Sequence, residues 1–205
     1  MHQSRTQVSR KIPIPRKGTR FVVRALINPQ NSVPVLIAVR DMLKLARTKK
    51  EAKKMIYNKN LKINGREVKD FRESIQLFNI FTAGKSYVLT LIPTGRFVLE
   101  ESDKKERLCK VVDKKLVKDG KIQLNLHDGT NILTDKKIRV QDSVYVDAKS
   151  KIAKHVPFEK GKTCFIMEGK YIGNEGKIES TEKNKAQIKI GETVATLNKS
   201  GVIAL

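Results

Sequence analysis

The sequence predicts an α+β, multidomain fold, and three observations carry that prediction. The first 40 residues hold eight Arg and Lys and no acidic residue. Two helical stretches, VLIAVRDMLKLAR and KKEAKKMIY, then run into an Asn-Gly hairpin, and from residue 71 onward short alternating runs are cut by Gly, Pro and Asp-Gly turns. The boundaries follow: a basic N-terminal arm over 1–35, a helix-and-hairpin domain over 36–99, a central small β domain over 100–156, and a C-terminal small β unit over 157–205.

A chain of 205 residues with 39% hydrophobic content can build real cores. Its 43 Lys and Arg against 21 Asp and Glu give a formal charge of +22 and a pI near 10.1, which attracts polyanions over long range. Nucleic acid is therefore the leading partner class. No apolar run approaches the roughly 18 residues of a spanning helix, and no signal-like apolar stretch follows Met1, so no membrane partner and a cytoplasmic location are expected.

Cys109 and Cys164 sit singly in apolar runs, LCKVV and CFIM, as buried reduced thiols would. His2, His127 and His155 carry no catalytic motif around them, and His127-Asp128-Gly129 reads as a β-turn between strands. No metal site, cofactor, catalytic residue or small-molecule substrate is expected from these patterns.

In the arm, Arg10, Lys11, Arg16, Lys17 and Arg20 repel one another, and Pro13, Pro15, Pro29 and Pro34 restrict helix formation. The segment is expected to order on RNA by neutralising phosphates, with Ile12, Ile14, Phe21, Val22 and Val23 docking part of it beforehand. From Val35, a 100° step places Leu36, Val39, Met42, Leu43 and Ala46 on one helix face and Arg40, Lys44 and Arg47 in a stripe beside it.

Thr48 and Glu51 form a T-x-x-E capping box that opens a second helix. On that helix Lys49, Lys50, Lys53 and Lys54 share one side with Tyr57, and Ala52, Met55 and Ile56 share the other. Ammonium groups at i,i+4 spacing repel, a cost relieved when phosphates arrive. Asn58-Lys59-Asn60 then turns the chain into Leu61-Lys62-Ile63, and Asn64-Gly65 suits a type I′ hairpin.

This helix pair followed by N-x-x-L-x-I-N-G-R-x-V resembles the alpha-L (S-four-type) RNA-binding domain. The resemblance implies an RNA face made by the two helices and the adjoining loop, here Arg40, Lys44, Thr48, Lys49, Lys50, Lys53, Lys54, Lys59 and Asn60.

Further strands are expected in SIQLFNIF, SYVLTLI and GRFVLE, then in LCKVVDKKLV, KIQLNLHDGTNIL and DSVYVD, with turn signals at Asp119-Gly120 and Asp128-Gly129. Whether these β segments close as one barrel or two is open. Gly169, Gly173 and Gly176 surround a strand in GKTCFIMEGKYIGNEGKIEST, with AQIKI and TVATL after it. That segment is similar to the KOW motif, a KOW/SH3-like β-barrel, which adds Lys170 to the candidate RNA contacts.

In order, IPIPRK, the alpha-L pattern, LCKV, QLNLHDGTNIL and the glycine segment resemble the archaeal branch of the e-type family of small-subunit ribosomal protein four, over essentially the whole chain. The resemblance implies a structural constituent of the small ribosomal subunit, binding its ribosomal RNA beside neighbouring ribosomal proteins. A regulatory RNA-binding factor would share the basic helices and the KOW-like segment, and composition alone does not separate the two.

Overall fold

Short alternating runs can each bury only one face, so they pair into sheets, and strands dominate the chain. The computed structural model describes residues 2–117 and 120–205; Asp119 of the Asp119-Gly120 turn signal lies outside them. The chain divides into two units, Met1–Lys105 and Glu106–Leu205.

In the first unit, β1 (His2–Ser4) pairs antiparallel with β2 (Phe21–Val23). Strand β3 (Ser32–Pro34) leads into α1 (Val35–Ile37), and α2 spans Lys49–Tyr57. After α2 come β4 (Leu61–Ile63), β5 (Arg66–Glu67), β6 (Ser74–Gln76), β7 (Ile80–Ala83), β8 (Lys85–Leu91) and β9 (Phe97–Glu101). Strand β6 pairs with β3, and the others form an antiparallel sheet in the order β5-β4-β7-β8-β9. Asn64 and Gly65 take φ of 51° and 82°, both positive as a type I′ turn needs, which sets Ile63 opposite Arg66.

Two expectations need correction here. The first helix does not run to Arg47: after α1 the chain widens into a π-helical turn over Ala38–Met42, where the Leu43 N–H donates to the Ala38 carbonyl at 2.9 Å. Lys44 then takes a φ of 55° and ends the helix. The reason is burial, since Val35, Leu36, Ile37, Ala38 and Val39 are all buried and the opening turn has no polar side. SIQLFNIF is likewise two strands, β6 and β7, because Phe78 at φ 63° breaks the run and the halves join different sheets.

The N-terminal segment is folded in the protein alone. Ile12 and Val22 are buried, and the Phe97 N–H donates to the Lys11 carbonyl at 2.7 Å. The Arg5 guanidinium ties the loop together, donating to the Thr19 carbonyl at 2.7 Å, the Pro15 carbonyl at 2.5 Å and the Thr19 hydroxyl at 3.1 Å. Gly18 permits this approach: a Cβ there would lie 2.8 Å from an Arg5 nitrogen.

The second unit holds two five-stranded antiparallel sheets. The first joins β10 (Glu106–Leu116), β11 (Ile122–Leu126), β12 (Asn131–Thr134), β13 (Ser143–Asp147) and β14 (Ile152–Val156) in the order β12-β11-β10-β13-β14. Cys109, Val111, Leu124, Leu126, Ile132, Ile138, Val144 and Val146 form its core. The second joins β15 (Thr163–Ile166), β16 (Glu175–Thr181), β17 (Lys185–Ile190), β18 (Thr193–Asn198) and β19 (Val202–Ala204) in the order β18-β17-β16-β15-β19. Cys164, Ile178, Ala186, Ile188 and Val202 form a separate core there.

Asp128 stands at the turn expected from His127-Asp128-Gly129, and the Gly129 N–H donates to the Leu126 carbonyl at 3.0 Å. Its carboxylate is wholly buried and accepts from Arg107 Nε at 3.0 Å, while the Thr130 backbone and hydroxyl donate at 3.0 and 2.6 Å. HDG is thus a structural turn. Gly169 and Gly173 take φ of 91° and 79°, whereas Gly176 serves close approach, since a Cβ there would meet Ile188 Cγ2 at 2.6 Å.

Lys110 joins the two sheets of this unit. From β10 its buried Nζ donates to the carbonyls of Lys199, Ser200 and Val202, the last two at 3.1 and 2.6 Å. Those carbonyls belong to a 3₁₀ turn, Lys199–Gly201, and the strand after it; the Lys199 carbonyl also accepts from the Val202 N–H that closes the turn. Burial pushes the lysine down to about 7.

Candidate nucleic-acid interface

Helix α2 begins because Thr48, at φ −123° and ψ 158°, stays extended and caps it, its hydroxyl accepting from the Glu51 N–H at 3.3 Å. Glu51 returns to the Arg47 N–H at 2.8 Å, one residue before the position expected from the capping box, and also accepts from the Thr48 hydroxyl at 2.9 Å. These bonds, Arg47 first, lower its carboxyl below the usual range. The only acidic group on the helix is thereby spent on its own cap.

Below the helix, Ala52 is buried and Met55 and Ile56 are half-buried, so the apolar side packs as its spacing requires. Lys49, Lys50, Lys53 and Lys54 are all exposed along the other side, and Tyr57 is 87% exposed at its end. Phe71 lies beneath this edge, with Lys49 Nζ 4.3 Å and Lys53 Nζ 5.6 Å from its ring centroid. The aromatic face holds two ammonium groups without neutralising them.

Nearby carboxylates have other partners. Asp70 pairs with Arg72 at 2.7 Å, which lowers its carboxyl, with Lys53 adding a smaller attraction, and Glu73 accepts from Arg66 and from the Lys69 N–H. The edge therefore keeps its positive potential.

Of the other expected contacts, α2 gathers some and scatters others. Arg47 and Thr48 flank its start; Asn60 is exposed past its end, where Lys59, at φ 59°, meets Glu67 at 3.4 Å. Arg40 is engaged by Asp41 through two bonds of 3.1 and 2.8 Å, and Lys44 projects from the turn that ends the first helix. In the N-terminal segment Arg10, Arg16, Lys17 and Arg20 are exposed, with Arg20 5.3 Å from the Phe21 ring, while Lys11 Nζ donates to Asn31 Oδ1 at 2.5 Å. Lys170 lies in the second unit, exposed, 5.7 Å from the Tyr171 ring.

Sequence reasoning missed Phe71, Arg5 and Arg96. Arg5 and Arg96 line a cavity of about 530 Å³ together with Arg10 and Arg16. Nothing local marks Arg5 apart from its basic neighbours, and Phe71 follows α2 only after the β4–β5 hairpin, so the fold alone brings it under the lysines. Among the described residues no group of three or more His, Cys, Asp or Glu could hold a metal ion, and no helix is long and apolar enough to cross a membrane.

Residues 83–152 match the Ribosomal family S4e. Over 187 residues the chain is 35% identical to the small ribosomal subunit protein eS4 of Archaeoglobus fulgidus, covering 88% of this chain and 80% of that protein. The chain belongs to the S4e family. Its S4e relative in Methanococcus maripaludis strain S2 is 34% identical over 217 residues, covering 98% of this chain and 88% of the relative. Among solved structures, the crystal structure of the 30S ribosomal protein S4e from Thermoplasma acidophilum superposes with a TM-score of 0.73 at 26% identity, over 85% of this chain and 95% of that one. The mostly-β architecture with few helices is thus the S4e fold.

Proposed function

We propose that this S4e chain is a structural constituent of the cytoplasmic small ribosomal subunit, holding small-subunit rRNA by its N-terminal segment and by the lysine edge of α2. The observation that carries this reading is the edge itself: four exposed ammonium groups in two helical turns, with the one carboxylate among them turned back into the cap. Such an edge meets phosphates and releases their counterions, and it does so without turnover. The helix segments followed by a type I′ hairpin support an alpha-L domain at 36–99. The β18-β17-β16-β15-β19 sheet and its glycines support a KOW-type, SH3-like unit at 157–205, bringing Lys170 to RNA. Neighbouring small-subunit proteins would complete the contacts.

Sedimentation of cell lysate through a sucrose gradient at moderate and high salt tests the reading. Co-migration with the small subunit in near-stoichiometric amount, resistant to the salt wash, is the expected result. A chain that stays at the top of the gradient, or leaves in modest salt, is a regulatory RNA-binding factor instead.

A further inference from the structure

The cavity in the first unit has two kinds of wall. Val8, Ile12, Ile14 and Pro15 give it apolar surface, and the guanidinium groups of Arg5, Arg10, Arg16 and Arg96 stand around it with no carboxylate in the lining. Its volume of about 530 Å³ falls within the range of small-ligand sites, roughly 300–1,000 Å³. Two chain segments build it, residues 5–16 and the turn at Thr94 and Arg96.

The four arginines are not equivalent. Arg5 is fixed by its bonds to Pro15 and Thr19, so it shapes the wall. Arg10, Arg16 and Arg96 are exposed, and their side chains have no protein partner among the described residues. A phosphate patch alone needs no hollow, and an apolar ligand needs no guanidinium. A ligand with a flat, weakly polar ring and an attached phosphate uses both, because arginine planes stack on bases while their N–H groups meet phosphate oxygens.

We propose that this cavity receives one unstacked nucleotide of a single-stranded RNA segment, the base held between the apolar wall and the guanidinium planes of Arg10 and Arg96 and its phosphate at Arg16. This rests on the RNA-binding reading above and deepens it, since the lysine edge of α2 meets phosphates alone whereas this cavity takes a base.

The test measures binding of the purified full chain to a single-stranded octauridylate and to an octamer of the same backbone without bases. The expected result is at least tenfold tighter binding of octauridylate, with that preference lost in the Arg10→Gln/Arg96→Gln variant and kept in Lys183→Gln/Lys185→Gln, which removes the same charge from the other unit. Thermal melts establish that both variants fold. Equal binding of the two octamers overturns the proposal, as does a base preference that survives Arg10→Gln/Arg96→Gln. Free UMP competing as well as the octamer would assign the cavity to a mononucleotide and overturn the RNA assignment. Sedimentation with the small subunit is read separately: a chain that co-migrates yet shows no base preference loses this inference only, and one that fails to co-migrate loses the broader reading.

Discussion

Arg107 and Asp128 form an ion pair at 3.0 Å with 4% and 0% of their side chains exposed, across 21 residues of sequence. The pair ties β10 to the turn between β11 and β12, and Asp128 has further donors in Thr130. A carboxylate so enclosed is tolerable only because its oxygens are supplied with donors.

Removing one partner strands the other. Arg107→Ala is expected to destabilise the second unit by about 3–5 kcal/mol, read from urea unfolding. The double variant Arg107→Met/Asp128→Leu is expected to recover much of that loss, since it buries no charge. A double variant as unstable as the single would show that packing, not the pair, sets the cost.

Lys110 makes stability rise with pH above neutrality. Its folded value, about 7, lies below the ordinary 10.5, so between these values the unfolded chain binds more protons than the folded one. Stability is therefore gained as pH rises from about 7 toward 10, by at most about 1.4 kcal/mol per unit, and that gain is lost again as pH falls from 10 to about 7. Lys110→Met is expected to flatten this profile and to lower stability at pH 7, because the carbonyls of Ser200 and Val202 lose their donor. Denaturant melts at pH 7, 8.5 and 10 measure both effects.

Both cysteines should resist thiol reagents in the native protein. Burial raises Cys109 strongly and Cys164 to about 11, which leaves about a thousandth of Cys164 as thiolate at pH 8. A colorimetric disulfide reagent is expected to find no fast-reacting thiol in buffer and two in urea. A fast thiol in buffer would mean that one of the two sheets opens readily.

How much of this was legible in the sequence depends on range. Thr48, Glu51 and Asn64-Gly65 were readable because capping and two-residue turns are local chemistry, decided within four residues. The lysine edge followed from helical spacing in the same way. The first helix was misread because its pattern was scored as one buried face, while the β3–β6 pairing and the fold around it bury Val35 through Val39 on every side. Arg107 with Asp128, Lys110 with the 199–202 carbonyls and Arg5 with the 15–19 loop were invisible, since each pairs an ordinary residue with a partner that only the fold brings near.

The cap is also testable. Thr48→Ala is expected to lower the stability of the first unit by about 1 kcal/mol, seen as a lower thermal midpoint by circular dichroism. Because the Glu51 carboxyl is held below its ordinary 4.5, its contribution is present above that value and is lost as pH falls below it. In Glu51→Gln that acid-side loss should shrink.

Lys50→Gln/Lys54→Gln probes the edge by salt. If both lysines neutralise phosphates, the slope of log affinity for duplex rRNA fragments against log salt should fall by about 1.8. An unchanged slope would place the RNA elsewhere on the surface.

The position of β19 at the rim of the last sheet, beside β15, has a consequence for synthesis. Every element of the first unit has been made by Lys105, whereas β15 has its second neighbour only after Val202–Ala204 has left the ribosome. At roughly 5–20 residues per second, the first unit has several seconds in which to fold before that strand exists. The α2 edge is thus in place while the second unit is still nascent, so the lysines of the first unit are presented before the chain is complete.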